Sequence, residues 1–83
     1  MDIRYSTDAE AFYVTLTDGA VARTVHISDD VMVDVEADGT VHGLELLCPP
    51  AELTSNERSA LTDRFPAAVQ ALDAVDRLTR LSA

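Results

Sequence analysis

Residues 31–47 read VMVDVEADGTVHGLELL, two alternating apolar segments separated by Asp38-Gly39. Alternation with a period of two indicates β-strands, and an aspartyl-glycine step between two such segments is a strong hairpin signal. The pairs that a two-residue turn at this step brings together are Val35 with His42, Val33 with Leu44 and Val31 with Leu46. We therefore predict a β-hairpin with one apolar face.

The preceding residues continue the alternation and carry two further turn signals. We predict strands at 2–5, 11–17, 20–28, 31–37 and 40–47. A tight turn at Asp18-Gly19 pairs Val14 with Arg23, and a three-residue loop at 28–30 pairs Val25 with Val33. The result is a five-stranded antiparallel β-meander with one apolar face. The side chains on that face are Ile3, Tyr5, Phe12, Val14, Leu16, Val21, Val25, Ile27, Val31, Val33, Val35, Leu44 and Leu46.

The rest of the chain has a helical pattern. Pro49-Pro50 ends the sheet, because proline lacks the N–H that a central strand needs. Thr54 and Glu57 have the spacing of a capping box, which predicts a helix over 55–64, and Pro66 begins a second helix. We predict one α+β domain over residues 1–83: a β-meander (1–47) and a helical segment (48–83) whose two α-helices pack on one face of the sheet. The stripe of the second helix that covers the sheet is Ala68, Ala71, Leu72, Val75 and Leu78.

Length and charge restrict the classes of function. Eighty-three residues form one small core, and fifteen acidic side chains against six arginines give a net charge of −9. Such a field repels nucleic-acid phosphates and attracts basic partners. No apolar run has the length of a membrane span, and the first residues lack the pattern of a signal peptide. We therefore expect a cytoplasmic protein that binds neither nucleic acid nor membrane.

Polar residues on the predicted apolar face are candidates for a ligand site. Arg23 and His42 both flank Val35 in the predicted register, with Tyr5 on the first strand. Arginine binds anions and histidine titrates near neutrality, so these three residues are our candidate ligand-binding site. The alternative is structural: Arg23 extends to the sheet rim and His42 caps the end of the turn.

The opposite face carries alternating carboxylates, which are those of Asp34, Glu36, Asp38 and Glu45. Successive side chains on one face of a strand lie roughly 6–7 Å apart, too far to share an ion without help from loops, so we expect a hydrated surface rather than a metal site.

Cys48, the single cysteine, is expected to be a small buried apolar side chain. The sequence contains no nucleophile elbow, phosphate-binding glycine loop or paired His/Cys ligands. We therefore predict no catalytic residue, metal or cofactor.

Two stretches resemble the bacterial family called domain of unknown function 2283. They are YSTDAEAFYVTL (5–16) and the quoted residues 31–47. Ser6 and Glu10 depart from the family pattern, which has aspartates at both positions. The resemblance implies a small cytoplasmic bacterial protein without assigned activity, with some relatives encoded beside small toxins. The matching motif residues are Tyr5, Asp8, Ala9, Tyr13, Asp34, Gly39, Gly43 and Glu45.

The pairing itself suggests why two of these motif residues occur together. Asp34 and Gly43 are expected to be partners across the last hairpin, where glycine leaves room beside the carboxylate. Asp34 is then free to bind Tyr13, Thr24 or an arginine of another chain.

We predict a non-enzymatic, acidic interaction module that binds itself, as a homodimer, or a basic protein. An antitoxin-like neutraliser is one form of this hypothesis. The alternative is a small-ligand binder or enzyme that uses Arg23 and His42 at the sheet rim.

Overall fold

The computed structural model describes residues 1–81 and confirms the α+β class. Five strands come first, followed by a single 3₁₀ turn at Pro50–Glu52 and two helices. The capping box at Thr54 and Glu57 is formed, and Phe65 ends the first helix as the sequence predicts. No helix in residues 1–81 has the length and apolarity needed to cross a bilayer. The elements are β1 (Asp2–Ser6), β2 (Ala11–Thr15), β3 (Arg23–His26), β4 (Val31–Val35), β5 (Val41–Leu46), α1 (Ser55–Arg64) and α2 (Pro66–Leu81).

The strands are all antiparallel, but their order is β1-β2-β5-β4-β3. The predicted meander is therefore wrong at one connection: β2 pairs with β5, and Asp18-Gly19 does not join two paired strands. The chain after β2 instead crosses the end of the β4–β5 hairpin and reaches the far edge of the sheet. Four strands in this arrangement form a Greek key.

Burial explains why β5 rather than β3 lies beside β2. Leu44 and Leu46 of β5 are fully buried and pair with Val14 and Phe12 of β2. In β3, by contrast, three of the four residues are exposed. Placing the more apolar strand at the centre removes more apolar surface from water, and the polar strand remains at the edge.

The predicted register of the β4–β5 hairpin is confirmed except beside the turn. Val31 pairs with Leu46 and Val33 with Leu44. The turn has three residues rather than two, because Glu36 N–H donates to Thr40 O at 2.9 Å and Gly39 has a φ of +92°. A β-bulge then accommodates one extra residue, His42, and restores the register.

The bulge changes the position of two side chains. Val35 pairs with Val41 instead of the predicted His42. Val41, which strict alternation places on the side opposite Leu44 and Leu46, is 7% exposed and belongs to the core. His42, expected on the apolar face, contacts Thr17. The β3–β4 pairs Val25–Val33 and Arg23–Val35 are as predicted.

The core lies between one face of the sheet and the helices. Of the predicted helical stripe, four side chains are buried and Leu78 is 44% exposed. Val21 and Tyr5, expected in the core, are 45% and 52% exposed. The reason is their position, since Val21 lies in the crossing connection and Tyr5 on an edge strand. The buried side chains of the core are those of Val14, Val31, Val33, Val35, Val41, Leu44, Leu46, Leu53, Leu61, Ala68, Ala71, Leu72 and Val75.

The turn conformation predicts the effect of replacing Gly39. A Cβ at this position meets nothing within 4 Å, so the cost of Gly39→Ala comes from the positive φ alone. We expect a loss of about 1 kcal/mol in the free energy of unfolding, measured by urea denaturation. Gly39→Asn should lose clearly less, because asparagine tolerates the left-handed conformation. Equal losses for the two variants would contradict the left-handed conformation of Gly39.

Candidate functional site

The face of the sheet opposite the helices is the candidate functional surface, which we call the polar face. Two rows of neighbouring side chains cross the strands β2-β5-β4-β3. Their carboxylates are partly buried between larger neighbours rather than fully hydrated. The first row is Thr15, Gly43, Asp34 and Thr24, and the second is Tyr13, Glu45, Met32 and His26.

Asp34 is the centre of a hydrogen-bond network on this face. The Tyr13 hydroxyl donates to Asp34 Oδ2, and the Thr24 hydroxyl donates to Asp34 Oδ1 at 2.5 Å. Both bonds match the expectation from the sequence. They fix the carboxylate between β2 and β3, strands that share no direct pairing.

Gly43 makes the Tyr13 contact possible. It is paired with both Asp34 and Thr15 and lies beneath the tyrosine. A Cβ there would lie 2.6 Å from the Val14 carbonyl oxygen and 3.1 Å from Tyr13 Oη. Any side chain at this position would therefore push the backbone or the ring away from Asp34.

The environment also keeps the Tyr13 phenol protonated. Burial raises the pKa of Tyr13 well above its usual range. The hydrogen bond to Asp34 and the negative charges of Asp34 and Glu45 raise this pKa further, because a phenolate would face two carboxylates. Tyr13 is therefore a structural hydrogen-bond donor rather than a proton-transfer group.

A second cluster, not predicted from the sequence, lies where the connection after β2 crosses the hairpin. The Thr17 hydroxyl donates to Glu36 Oε2 and is 3.1 Å from His42 Nδ1. The same histidine nitrogen lies 3.6 Å from Glu36 Oε2. Gly19 lies so close to the Glu36 carboxylate that a Cβ at this position would displace the carboxylate. These contacts depend on the bulge at His42, which simple alternation does not reveal.

The three predicted ligand-binding residues do not form one site. Tyr5 lies on β1 and Arg23 on β3, which are the opposite edges of the sheet. His42 lies at the start of central strand β5, with its side chain 13% exposed beside Glu36. Arg23 is exposed at the start of its strand. The predicted grouping of Arg23 with His42 fails because the bulge pairs Val35 with Val41 instead of His42. Tyr5 is separated from Arg23 by the width of the sheet.

Two family-motif residues, Asp8 and Ala9, lie in the turn between β1 and β2. Ala9 N–H donates to Ser6 Oγ at 3.2 Å, and Asp8 is exposed. Glu10, which closes this turn, has a φ of +51°. This motif segment therefore shapes the end of β1 and is remote from the carboxylates of the polar face.

Two open grooves lie where the sheet meets the helical segment. One, of about 430 Å³, is lined by residues that include Asp30, Glu52 and Glu57. Ser28 Oγ donates to Glu57 Oε2 at 2.5 Å in its wall, which lowers the pKa of Glu57. The other groove, of about 310 Å³, includes Tyr5, Phe12 and Glu52. Within residues 1–81, no three His, Cys, Asp or Glu side chains are grouped to hold a metal ion.

Cys48 lines the smaller groove and is partly buried. Burial raises the pKa of its thiol, and the carboxylates of Asp30, Glu57 and Glu52 raise it further. A reactive cysteine needs the opposite environment, one that stabilises the thiolate. Cys48 is therefore not activated as a nucleophile.

The raised pKa of Tyr13 predicts a loss of stability at high pH. In the unfolded chain the phenol titrates near its ordinary pKa of about 10. Its contribution to the free energy of unfolding is therefore complete below about pH 10 and is lost as the pH rises towards the higher folded-state pKa. Urea unfolding between about pH 8 and about pH 11.5 should show this decline in the native protein and a smaller decline in Tyr13→Phe. Tyr5→Phe is the matched control, and coincident slopes for the native protein and Tyr13→Phe would contradict the burial of the phenol.

Comparison with known proteins gives a family but no activity. No curated protein and no solved structure matches the chain. The family model described as "Protein of unknown function (DUF2283)" matches residues 2–48. This match covers more than half of the chain and all five strands, including Tyr13, Asp34 and Gly43. The chain therefore belongs to the DUF2283 family of proteins of unknown function.

Proposed function

We propose that this protein is a non-enzymatic interaction module whose polar face binds a basic protein. The observation that supports the proposal is the way in which Asp34 is held. Both hydrogen bonds that it accepts come from neutral hydroxyl groups, those of Tyr13 and Thr24. Its negative charge is fixed in position but not neutralised by either bond.

The distribution of charge also favours a basic partner. Residues 1–47 carry ten acidic side chains and two arginines, whereas residues 48–83 carry five and four. The negative field is therefore strongest on the sheet half of the chain. Such a field accelerates association with a cationic protein and fixes its orientation, an effect that salt screens.

The partner that best fits this charge is a small basic protein, and an antitoxin-like neutraliser is one form of the proposal. A bacterial, cytoplasmic setting belongs to the same proposal. The fixed carboxylates would be presented without the entropy cost of ordering them on binding. No catalytic group is required for this role.

Self-association is the second candidate, supported by the two free edges of the sheet. The strands β1 and β3 each have one unpaired side, whose backbone groups can pair with another strand. Met1 and Tyr5 beside β1 are 64% and 52% exposed. Pairing of two such edges would give a homodimer and cover this apolar surface.

Isothermal titration calorimetry tests the binding proposal. The protein is titrated with the purified product of the gene next to its own, and the affinity is measured. We expect Glu45→Gln, which removes a charge from the polar face, to weaken binding by about threefold at low salt. Asp63→Asn, which removes an exposed charge from α1, is the matched control and should change binding little. Raising the salt from about 25 mM to about 300 mM should weaken native binding.

An absence of binding at low salt would exclude the antitoxin-like form of the proposal. An equal loss for Glu45→Gln and Asp63→Asn would contradict the polar-face proposal itself. Sedimentation equilibrium of the protein alone tests the second candidate. A mass that stays monomeric up to high concentration would exclude the homodimer.

A further inference from the structure

The groove beside β1 combines exposed aromatic surface with carboxylates. The Tyr5 and Phe12 rings are 4.8 Å apart between centroids and inclined by 59°. Tyr5 is 52% and Leu47 38% exposed, although both are large apolar side chains. Both side chains line the same groove, so their exposed apolar surfaces face a common space. The lining residues used below are Tyr5, Glu10, Phe12, Leu47, Pro49 and Glu52.

The charges of this groove determine which ligand it fits. Glu10 and Glu52 line it, and none of its lining residues in the described chain is an arginine or a histidine. The faces of aromatic rings carry partial negative charge and attract cations. An anion would be repelled by both carboxylates, whereas a cation would be attracted by the rings and the carboxylates together.

The volume of the groove limits the size of the ligand. About 310 Å³ is at the lower end of the range of roughly 300–1,000 Å³ found for small-molecule sites. This volume accommodates one long side chain but is small for a nucleotide or an organic cofactor. The groove also lies beside the free edge of the sheet, where an approaching polypeptide meets no other strand.

We propose that this groove binds an arginine side chain of a basic partner protein. A guanidinium group is planar, so it can stack on Tyr5 while its N–H groups donate to Glu10 and Glu52. Leu47 and Pro49 then contact the aliphatic part of the side chain. The inference rests on the proposed function, because it identifies a side chain by which the basic partner is recognised.

The groove lies on the edge of the sheet and the polar face lies on the side opposite the helices. The two surfaces therefore make separate contributions to binding. Substitutions at Glu45 test the polar face, and substitutions at Tyr5 and Glu52 test the groove. Failure of one proposal can be distinguished from failure of the other.

The experiment is an NMR titration of the whole protein with a capped Gly-Arg-Gly tripeptide. A capped Gly-citrulline-Gly tripeptide, which has a similar shape but no charge, is the control ligand. We expect the arginine peptide to shift the ring protons of Tyr5 and Phe12 and the amides of Glu10 and Leu47, with a millimolar midpoint. The citrulline peptide should bind at least about fivefold more weakly, because the cation–π and carboxylate contacts are lost.

Two variants locate the binding. Tyr5→Leu keeps an apolar side chain but removes the aromatic ring, and Glu52→Gln keeps the shape but removes the charge. Each should weaken binding of the arginine peptide about three- to fivefold. Asp63→Asn is the control for a general loss of negative charge and should bind as the native protein does. The amide spectrum of each variant verifies that the fold is retained.

Three results would overturn the groove proposal. Equal shifts with the arginine and citrulline peptides would show that charge is not recognised. Shifts confined to Asp34, Glu45 and their neighbours would move the arginine site to the polar face and leave the proposed function intact. Shifts of the groove resonances on raising the protein concentration without peptide would identify a second copy of the chain as the occupant.

If the arginine peptide binds the groove while Glu45→Gln leaves binding of the partner protein unchanged, the polar-face proposal fails and the groove proposal stands.

Discussion

The contact of Tyr13 with Asp34 across Gly43 connects three adjacent strands, and the polar face depends on it. Tyr13 belongs to β2, Gly43 to β5 and Asp34 to β4, so the hydrogen bond requires β5 to lie between the other two. Thr24 extends the network to β3. A side chain larger than hydrogen at Gly43 would contact the Val14 carbonyl and the tyrosine. The same contact therefore requires the observed strand order and a glycine at position 43, and it fixes the position of the Asp34 carboxylate.

This arrangement explains how a small domain can present negative charge in a defined geometry. Exposed carboxylates on flexible side chains lose conformational entropy when they bind a partner, which reduces their contribution to affinity. Asp34 is already ordered by two hydroxyl groups, and Glu36 is held by Thr17 and packed against Gly19. The opposite face of the sheet packs against the helical segment and forms the hydrophobic core. The hydrophobic core and the polar face thus lie on opposite sides of the same sheet.

Local patterns predicted most of the elements but not the order of the strands. The helix over 55–64 and the pairs Val33–Leu44 and Val25–Val33 follow from capping, turn and alternation signals. Strand order depends on contacts between residues distant in sequence, and Asp18-Gly19 resembles a hairpin turn although it lies in a crossing connection. Strict alternation does not predict the bulge at His42, which leaves the buried side chains Val41, Leu44 and Leu46 three and then two residues apart. The groove is lined by residues as far apart in the sequence as Tyr5 and Glu52, so no local motif could indicate it.

The most direct test of this account is a double-mutant cycle for the pair Tyr13 and Asp34. The free energies of unfolding of the native protein, Tyr13→Phe, Asp34→Ala and the double variant give the coupling between the two side chains. A hydrogen bond to a charged acceptor across Gly43 predicts a coupling of about 1.5–3 kcal/mol. A coupling within about 0.3 kcal/mol of zero would show that the two side chains do not interact, and would contradict the strand order that brings them together.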